Sequence, residues 1–113
     1  MVEVGLFDGL KRRRGAGKAG TLRRATDADL RHLTAWADAR RGVEAYVEPR
    51  TTVTETTVVL IAHDGEWTRR RIGSLGAAQQ FGRKHAIPVY EVAKVGYPTR
   101  MREYTQRRKR AQS

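Results

Sequence analysis

Apolar residues recur at helical spacing directly after a capping pattern near the start of the chain. Thr26 is followed three residues later by Asp29, the arrangement in which each side chain bonds the other's backbone N–H at a helix N-terminus. Gly42 supplies a C-terminal stop signal. The pattern predicts a helix over 27–41. Its apolar face consists of Leu30, Leu33 and Ala37, with Trp36 beside them.

A second helical pattern follows Ser74, a favourable N-cap residue. It predicts a helix over 75–85, whose apolar stripe consists of Leu75, Ala78, Phe81 and His85. Gly76 and Gly82 each weaken such a helix by about 1 kcal/mol relative to alanine. We therefore expect another part of the chain to pack closely against both glycines.

Alternating apolar residues and β-branched runs predict four strands, over 43–49, 52–62, 66–72 and 89–95. The continuous apolar run Val58–Ala62 favours a central position in the sheet. Asp64-Gly65 is the turn signal of a hairpin between the second and third strands. After the fourth strand, Thr99 predicts the start of a short helix that ends near Tyr104.

These elements predict an α+β fold with one small domain, an α-β-β-β-α-β core and a mainly antiparallel four-stranded sheet. We expect a flexible basic N-terminal tail over 1–20, the domain over 21–105 and a basic C-terminal tail over 106–113. The predicted core consists of Leu30, Leu33, Val59, Ile61, Phe81, Ile87 and Val89.

The net charge indicates the class of binding partner, whereas the length indicates only a single small domain. The 113 residues carry a formal charge of +11, and the excess lies at the two ends of the chain and in its second half. Residues 21–64 hold six Lys/Arg and seven Asp/Glu, whereas residues 65–113 hold twelve Lys/Arg and three Asp/Glu. Such asymmetry favours a polyanionic partner.

Composition and motifs exclude several classes of function. The chain has no cysteine, which excludes a disulfide scaffold, thiolate zinc ligation and a cysteine nucleophile. No glycine-rich phosphate loop lies between a predicted strand and a helix. No apolar run has the length of a membrane span, and the N-terminus lacks the order of a signal peptide. We therefore expect a cytoplasmic protein without a cofactor.

Metal-assisted hydrolysis is the strongest enzymatic alternative, because restriction-endonuclease-like nucleases share this order of elements. Those nucleases place an Asp on one strand and a Glu-x-Lys on the next. Here the candidates are Asp64 in the turn and Glu66, and Thr68 stands where that motif has lysine. The histidines have no neighbouring partner with metal-ligand spacing; they are His32, His63 and His85.

The main indication of nucleic-acid binding is the segment Trp67-Thr68-Arg69-Arg70-Arg71 in the third predicted strand. Side chains alternate along a strand, so Trp67, Arg69 and Arg71 are predicted to share one face. An aromatic ring beside guanidinium groups suits phosphate contacts combined with base stacking. The alternative is that Trp67 belongs to the core while its Arg neighbours reach solvent; Arg70 on the other face and the helix cations Arg83 and Lys84 are predicted to stay exposed in either case.

A second basic element lies at the C-terminal end, where Tyr97 and Tyr104 are interleaved with cations. Segments of this kind commonly become ordered on RNA. Its predicted nucleic-acid-binding residues are Arg100, Arg102, Arg107, Arg108, Lys109 and Arg110.

Two resemblances accompany these patterns. Residues 27–86 resemble double-stranded-RNA-binding domains in the order of their elements, although the second helix begins Ser74-Leu75-Gly76-Ala77 where that family has a lysine clamp. Residues 27–104 are similar to a group of short, uncharacterised actinobacterial proteins that are often labelled only oxidoreductase. The segments that carry this similarity are Arg41–Arg50, Asp64–Arg71, Ile87–Tyr90 and Gly96–Arg102. It implies a shared fold, and a redox enzyme by label alone.

The sequence therefore predicts a non-catalytic nucleic-acid-binding accessory protein, with RNA or the ribosome favoured over DNA. The alternative is a module that docks on an acidic protein surface through Leu6, Phe7 and Leu10. A redox enzyme is the third interpretation. Neither the identity of the target nor the oligomeric state follows from these residues.

Overall fold

Four strands and four helices follow one another along residues 25–112, the part of the chain that the computed structural model describes. The N-terminal segment predicted to be a tail lies outside these residues, and so do Leu6, Phe7 and Leu10. In chain order the elements are α1 (Asp27–Asp38), β1 (Glu44–Glu48), β2 (Thr56–Ile61), β3 (Trp67–Gly73), α2 (Leu75–His85), β4 (Val89–Glu91), α3 (Val92–Val95) and α4 (Thr99–Gln112).

The strands form one mixed sheet in the order β3-β2-β1-β4. The pairs β1–β2 and β2–β3 are antiparallel, and only β4 lies parallel to its neighbour β1. The apolar run of β2 places it inside the sheet, as predicted. The α+β class and the mainly antiparallel four-stranded sheet are confirmed.

Helix α1 begins as its sequence predicts, with a complete capping box. The Thr26 N–H donates to the Asp29 Oδ2 at 2.9 Å, and the Asp29 N–H donates to the Thr26 Oγ1 at 3.1 Å. The helix ends earlier than predicted, because Asp38 is its last residue. Arg40 lies beyond the helix end, stacks over the Trp36 ring at 4.2 Å and pairs with Glu66 at 2.8 Å.

The main core lies between the sheet and the helices α1 and α2. Leu33 and Phe81 enter it from the two helices, and Val58 and Leu60 enter it from β2. Of the predicted core residues, Leu33, Val59, Ile61 and Phe81 are buried, whereas Ile87 and Val89 are half-buried. The prediction for Leu30 is wrong. Its side chain is 48% exposed, because it lies at the open groove between α1 and α2.

The opposite face of the sheet carries a smaller apolar cluster. Tyr46, Val59 and Ile61 are buried there, and Trp67 and Met101 pack against them. Met101 comes from α4, so the C-terminal helix covers part of this face. The two faces explain why β2 is apolar on both sides.

The chain after α2 differs most from the prediction. The fourth strand ends at Glu91, and the residues predicted to continue it form the single helical turn α3. The predicted helix end near Tyr104 is also wrong, because α4 runs without interruption to Gln112. The boundary drawn between a domain and a basic tail at residue 105 therefore falls inside a helix.

Candidate nucleic-acid interface

The register of β3 decides which of its side chains share a face. Trp67 pairs with Ile61 and Arg69 pairs with Val59, so both lie on the face that α4 partly covers. The register then shifts, because Arg71 pairs with Thr57 while Gly73 pairs with the adjacent Thr56. This β-bulge adds a residue to β3 and turns its side chains away from strict alternation.

Because of this bulge, the prediction that Arg71 lies on the same face as Trp67 and Arg69 is wrong. Its guanidinium instead reaches α1, where the Arg71 Nε lies 3.7 Å from the Asp29 Oδ2. The Arg70 Nε lies at the same distance from the Asp29 Oδ1. Two consecutive arginines of one strand thus converge on one buried carboxylate.

The Trp67 ring serves the packing of α4. Its Nε1–H donates to the Thr105 Oγ1 at 3.3 Å, and Met101 packs against the same cluster. The Arg69 guanidinium lies 5.3 Å from the ring centroid, within the range of a cation–π contact. Base stacking on this ring therefore competes with α4 and with Arg69 for the same surface.

Glu48 holds Arg69 in place. The Arg69 Nε and Nη2 donate to the two oxygens of Glu48 at 2.8 and 3.0 Å, and Thr57 and Tyr97 also donate to this carboxylate. Burial raises the pKa of Glu48, but the hydrogen bonds from these three side chains outweigh it and lower the pKa below its ordinary value. Arg69 is therefore neutralised within the fold.

Arg100 anchors the start of α4 on the sheet. Its Nη2 donates to the Glu44 Oε1 at 2.7 Å, and its Nε donates to the Ala62 carbonyl at 3.0 Å. The side chain is only 28% exposed. We therefore assign Arg100 to the attachment of the helix. A guanidinium that already donates to a carboxylate and a carbonyl has few hydrogen-bond donors available for a ligand.

Gly65 in the hairpin turn allows α4 to approach. It is buried with a φ of +95°, and a Cβ placed on it would overlap the Arg100 carbonyl oxygen and lie 2.9 Å from the Tyr104 Cβ. One turn further along, the Arg107 Nη2 donates to the Asp64 carbonyl at 2.8 Å. The helix is thus held by the β2–β3 turn along one side.

The remaining cations of α4 face solvent. We call them the α4 basic surface: they are exposed, and they are Arg102, Arg107, Arg108, Lys109 and Arg110. Arg107 and Arg108 lie 5.9 Å from the Tyr104 ring centroid, which keeps their guanidinium groups beside the helix. Within residues 25–112, the side chains of Arg102 and Arg110 make no hydrogen bond or ion pair, and the same holds for Arg83 and Lys84 on α2.

The candidate catalytic groups are engaged in local structure. The Asp64 Oδ1 accepts the Glu66 N–H at 3.0 Å, and Glu66 pairs with Arg40. His32 bonds the Thr68 hydroxyl at 2.7 Å; burial, followed by the charge of Arg70, lowers its pKa. Between residues 25 and 112 no three His, Asp or Glu side chains come together as a metal site would require, and no helix has the length and apolarity to cross a bilayer.

Sequence reasoning missed the acidic partners of this surface. Asp29, Glu44 and Glu48 each bind an arginine more than 20 positions away in the chain. The alternation of β1 places Glu44 and Glu48 on one face with Tyr46, and the capping pattern marks Asp29 only as a partner of Thr26. Comparisons with protein-family models, curated proteins and solved structures found no match to this chain.

Proposed function

We propose that this protein binds nucleic acid without catalysis, through the phosphate groups, with RNA or ribosomal RNA preferred over DNA. The observation that carries the proposal is the α4 basic surface. Helix α4 is attached to the sheet and the β2–β3 turn along one side and presents five exposed cations, of which only Arg107 also donates to that turn. Phosphate contacts of exposed Lys and Arg supply most of the affinity in sequence-independent binding.

Ion pairs within residues 25–112 distinguish arginines that are balanced by a carboxylate from exposed arginines that are not. Arg69 and Arg100 each donate to a carboxylate at hydrogen-bonding distance, so their charges are balanced inside the protein. Arg102 and Arg110 have no such partner within residues 25–112. A polyanion gains more from cations that give up no internal ion pair on binding.

RNA is preferred because aromatic and cationic residues alternate in this part of the chain. Tyr97 is 46% exposed, and Tyr104 lies against the guanidinium groups of α4. Arg and Tyr side chains together recognise phosphates and unstacked bases, which single-stranded loops of RNA provide. A protein of this kind binds single-stranded RNA more tightly than a duplex of the same length.

The test measures affinity against salt concentration for a labelled single-stranded RNA, an RNA duplex and a DNA duplex of equal length. The double variant Arg102→Gln/Arg110→Gln keeps the helix, because glutamine is a good helix former. If each cation contacts one phosphate, the slope of log affinity against log salt falls by roughly 0.7–0.9 for each cation removed. Affinity falls for all sequences alike.

A matched control removes the same charge elsewhere. Arg31 on α1 and Arg41 after it are exposed, and their side chains make no hydrogen bond or ion pair within residues 25–112, so Arg31→Gln/Arg41→Gln lowers net charge equally. The control is expected to leave the slope unchanged. Equal effects of the two double variants would show that net charge alone attracts the polyanion. Absence of binding to any nucleic acid at low salt would refute the proposal and favour docking on an acidic protein.

A further inference from the structure

Exposed apolar side chains are concentrated where β4, α3 and α4 follow one another. Of the five large apolar or aromatic side chains that are exposed within residues 25–112, three lie between positions 90 and 97. We call these three the tyrosine surface: Tyr90, Val95 and Tyr97, which are 38%, 58% and 46% exposed. Exposed apolar residues scattered singly are ordinary, whereas a concentration of them indicates an interaction surface.

The ring of Tyr90 is held in place by the sheet. Tyr90 pairs with Tyr46 across the parallel strands β1 and β4, and the two rings stack with centroids 5.2 Å apart and an angle of 29° between their planes. The Tyr46 ring is buried, and its hydroxyl donates to the Glu44 Oε1 at 3.0 Å. A fixed, buried ring therefore orients Tyr90, whose own ring stays partly exposed.

The ring of Tyr97 is held at its hydroxyl end. The hydroxyl donates to Glu48, the carboxylate that also accepts from Arg69. Glu48 and Tyr46 are two residues apart on one face of β1, so their positions are separated by roughly 7 Å along the strand. The two exposed rings are therefore anchored at neighbouring positions of one sheet face, where a short single strand can contact both.

We propose that the tyrosine surface binds unstacked bases of single-stranded RNA, one on the ring of Tyr90 and the next on the ring of Tyr97. Every base has a π-face, so stacking on an aromatic side chain contributes to binding whatever the sequence. A ring that is already held in place loses little conformational entropy when a base stacks on it. A base on Tyr90 continues the stack that Tyr46 begins.

The tyrosine surface is continuous in the chain with the α4 basic surface, because Tyr97 lies two residues before the start of α4. Glu91, which follows Tyr90, is paired with Lys94 at 3.2 Å, and this pairing offsets its repulsion of phosphate. The inference rests on the proposed function and deepens it. It names the bases as a second part of the RNA that the protein recognises, in addition to the phosphates.

The experiment measures the affinity of the full chain for a single-stranded RNA and for a base-free ribose-phosphate strand of equal length, over a range of salt concentrations. Tyr90→Leu removes the ring and keeps an apolar side chain on Tyr46, whereas Tyr90→Phe keeps the ring and is the matched control. We expect Tyr90→Leu to lower RNA affinity roughly five-fold to a hundred-fold at every salt concentration, the loss typical of one stacked base. The slope of log affinity against log salt stays unchanged, because no charge is removed.

The controls separate stacking from a general effect on structure. We expect Tyr90→Phe to bind RNA as the parent does, and Tyr90→Leu to bind the base-free strand as the parent does. Equal losses of Tyr90→Leu on both strands, or an equal loss of RNA affinity in Tyr90→Phe, would overturn the proposal.

Tyr97→Leu supplies an independent variant, because Tyr97 is anchored at Glu48 and not at Tyr46. We expect it to lower RNA affinity over the same range and to leave binding of the base-free strand unchanged. It keeps the proposal falsifiable if Tyr90→Leu unfolds the protein, which urea unfolding reports.

The inference and the proposed function fail on different results. If RNA binds with a slope that depends on the α4 basic surface while neither leucine variant changes the affinity, phosphate contacts are sufficient and the tyrosine surface takes no part. If the parent binds no RNA at low salt, the proposed function fails and this inference fails with it; the exposed rings would then suit a protein partner.

Discussion

Gly65 is the residue at which the hairpin turn and α4 come closest. Its φ of +95° disfavours any side chain, and the Arg100 carbonyl oxygen occupies the space that a Cβ would need. Backbone strain alone typically costs about 1–3 kcal/mol. Because the clash with Arg100 adds to that strain, Gly65→Ala is expected to lower the free energy of unfolding by a larger amount. Urea unfolding measures this loss, and the helical circular dichroism of the folded protein reports whether α4 detaches.

Gly96 supplies the matched control for that substitution. Its φ is +72°, and no atom lies within 4 Å of the position a Cβ would take. Gly96→Ala thus imposes backbone strain without a steric clash. Equal losses for the two variants would mean that contact with α4 contributes nothing at Gly65.

Glu48 predicts a specific dependence of stability on pH. The pKa of its carboxyl group is lowered in the folded protein, so the stabilisation is complete above the unfolded value of about 4.3 and is lost as pH falls through the folded value. Glu48→Gln is expected to cost about 1 kcal/mol at pH 7. The stability of this variant declines less than that of the parent between about pH 5 and pH 2 in urea titrations, and parallel declines would contradict this assignment.

Residue partners were the least predictable feature from the sequence. Trp67 and Arg69 are correctly placed on one face by alternation, but Arg71 is not, because a bulge leaves no unambiguous mark in a run of arginines. The ion pairs of Asp29 and Glu48 join elements that are distant in the chain. Only the folded sheet brings them together.

At the scale of elements, α2 offers two glycines in contrasting surroundings. A Cβ on Gly82 would overlap the Val89 Cγ2 and lie 2.7 Å from the Ile87 carbonyl oxygen, whereas the nearest atom to one on Gly76 is the Ser74 Oγ at 3.8 Å. Gly82→Ala is expected to destabilise the protein by about 1–3 kcal/mol through overpacking. Gly76→Ala stabilises the helix by about 0.5–1 kcal/mol. Thermal unfolding of both variants measures the difference, and destabilisation by both would contradict it.

Helix starts were easier to predict than helix ends. Thr26 and Ser74 cap their helices as the sequence indicates, because an N-cap bond is local. Arg40 leaves α1 and stacks over Trp36, and the first turns of α4 pack against Gly65, contacts with parts of the chain that a local pattern does not specify. The close packing expected at both glycines of α2 exists only at Gly82.

At the scale of the whole molecule, some of the cations that suggested a polyanionic partner are paired with acidic residues, and others are exposed. The acids of α1 and β1 neutralise arginines of β3 and the first turn of α4. Among residues 25–112, further exposed cations lie on the outward side of α4 and on α2. Net charge was sufficient to propose a class of partner, but the fold was needed to separate the cations that hold the protein together from those that face outward.

The parallel pair β1–β4 has a consequence for the order of events in folding. The hairpins β1–β2 and β2–β3 join neighbouring segments, whereas β4 joins Ala45 to Val89 across more than forty residues. Closing so long a loop costs entropy, so we expect the hairpins to form in the transition state and β4 to dock afterwards. Val89→Ala should then accelerate unfolding about five-fold for each 1 kcal/mol lost, with the folding rate unchanged. If stopped-flow kinetics showed slower folding instead, the β4 crossover would belong to the folding nucleus. The three antiparallel strands would then form only together with β4.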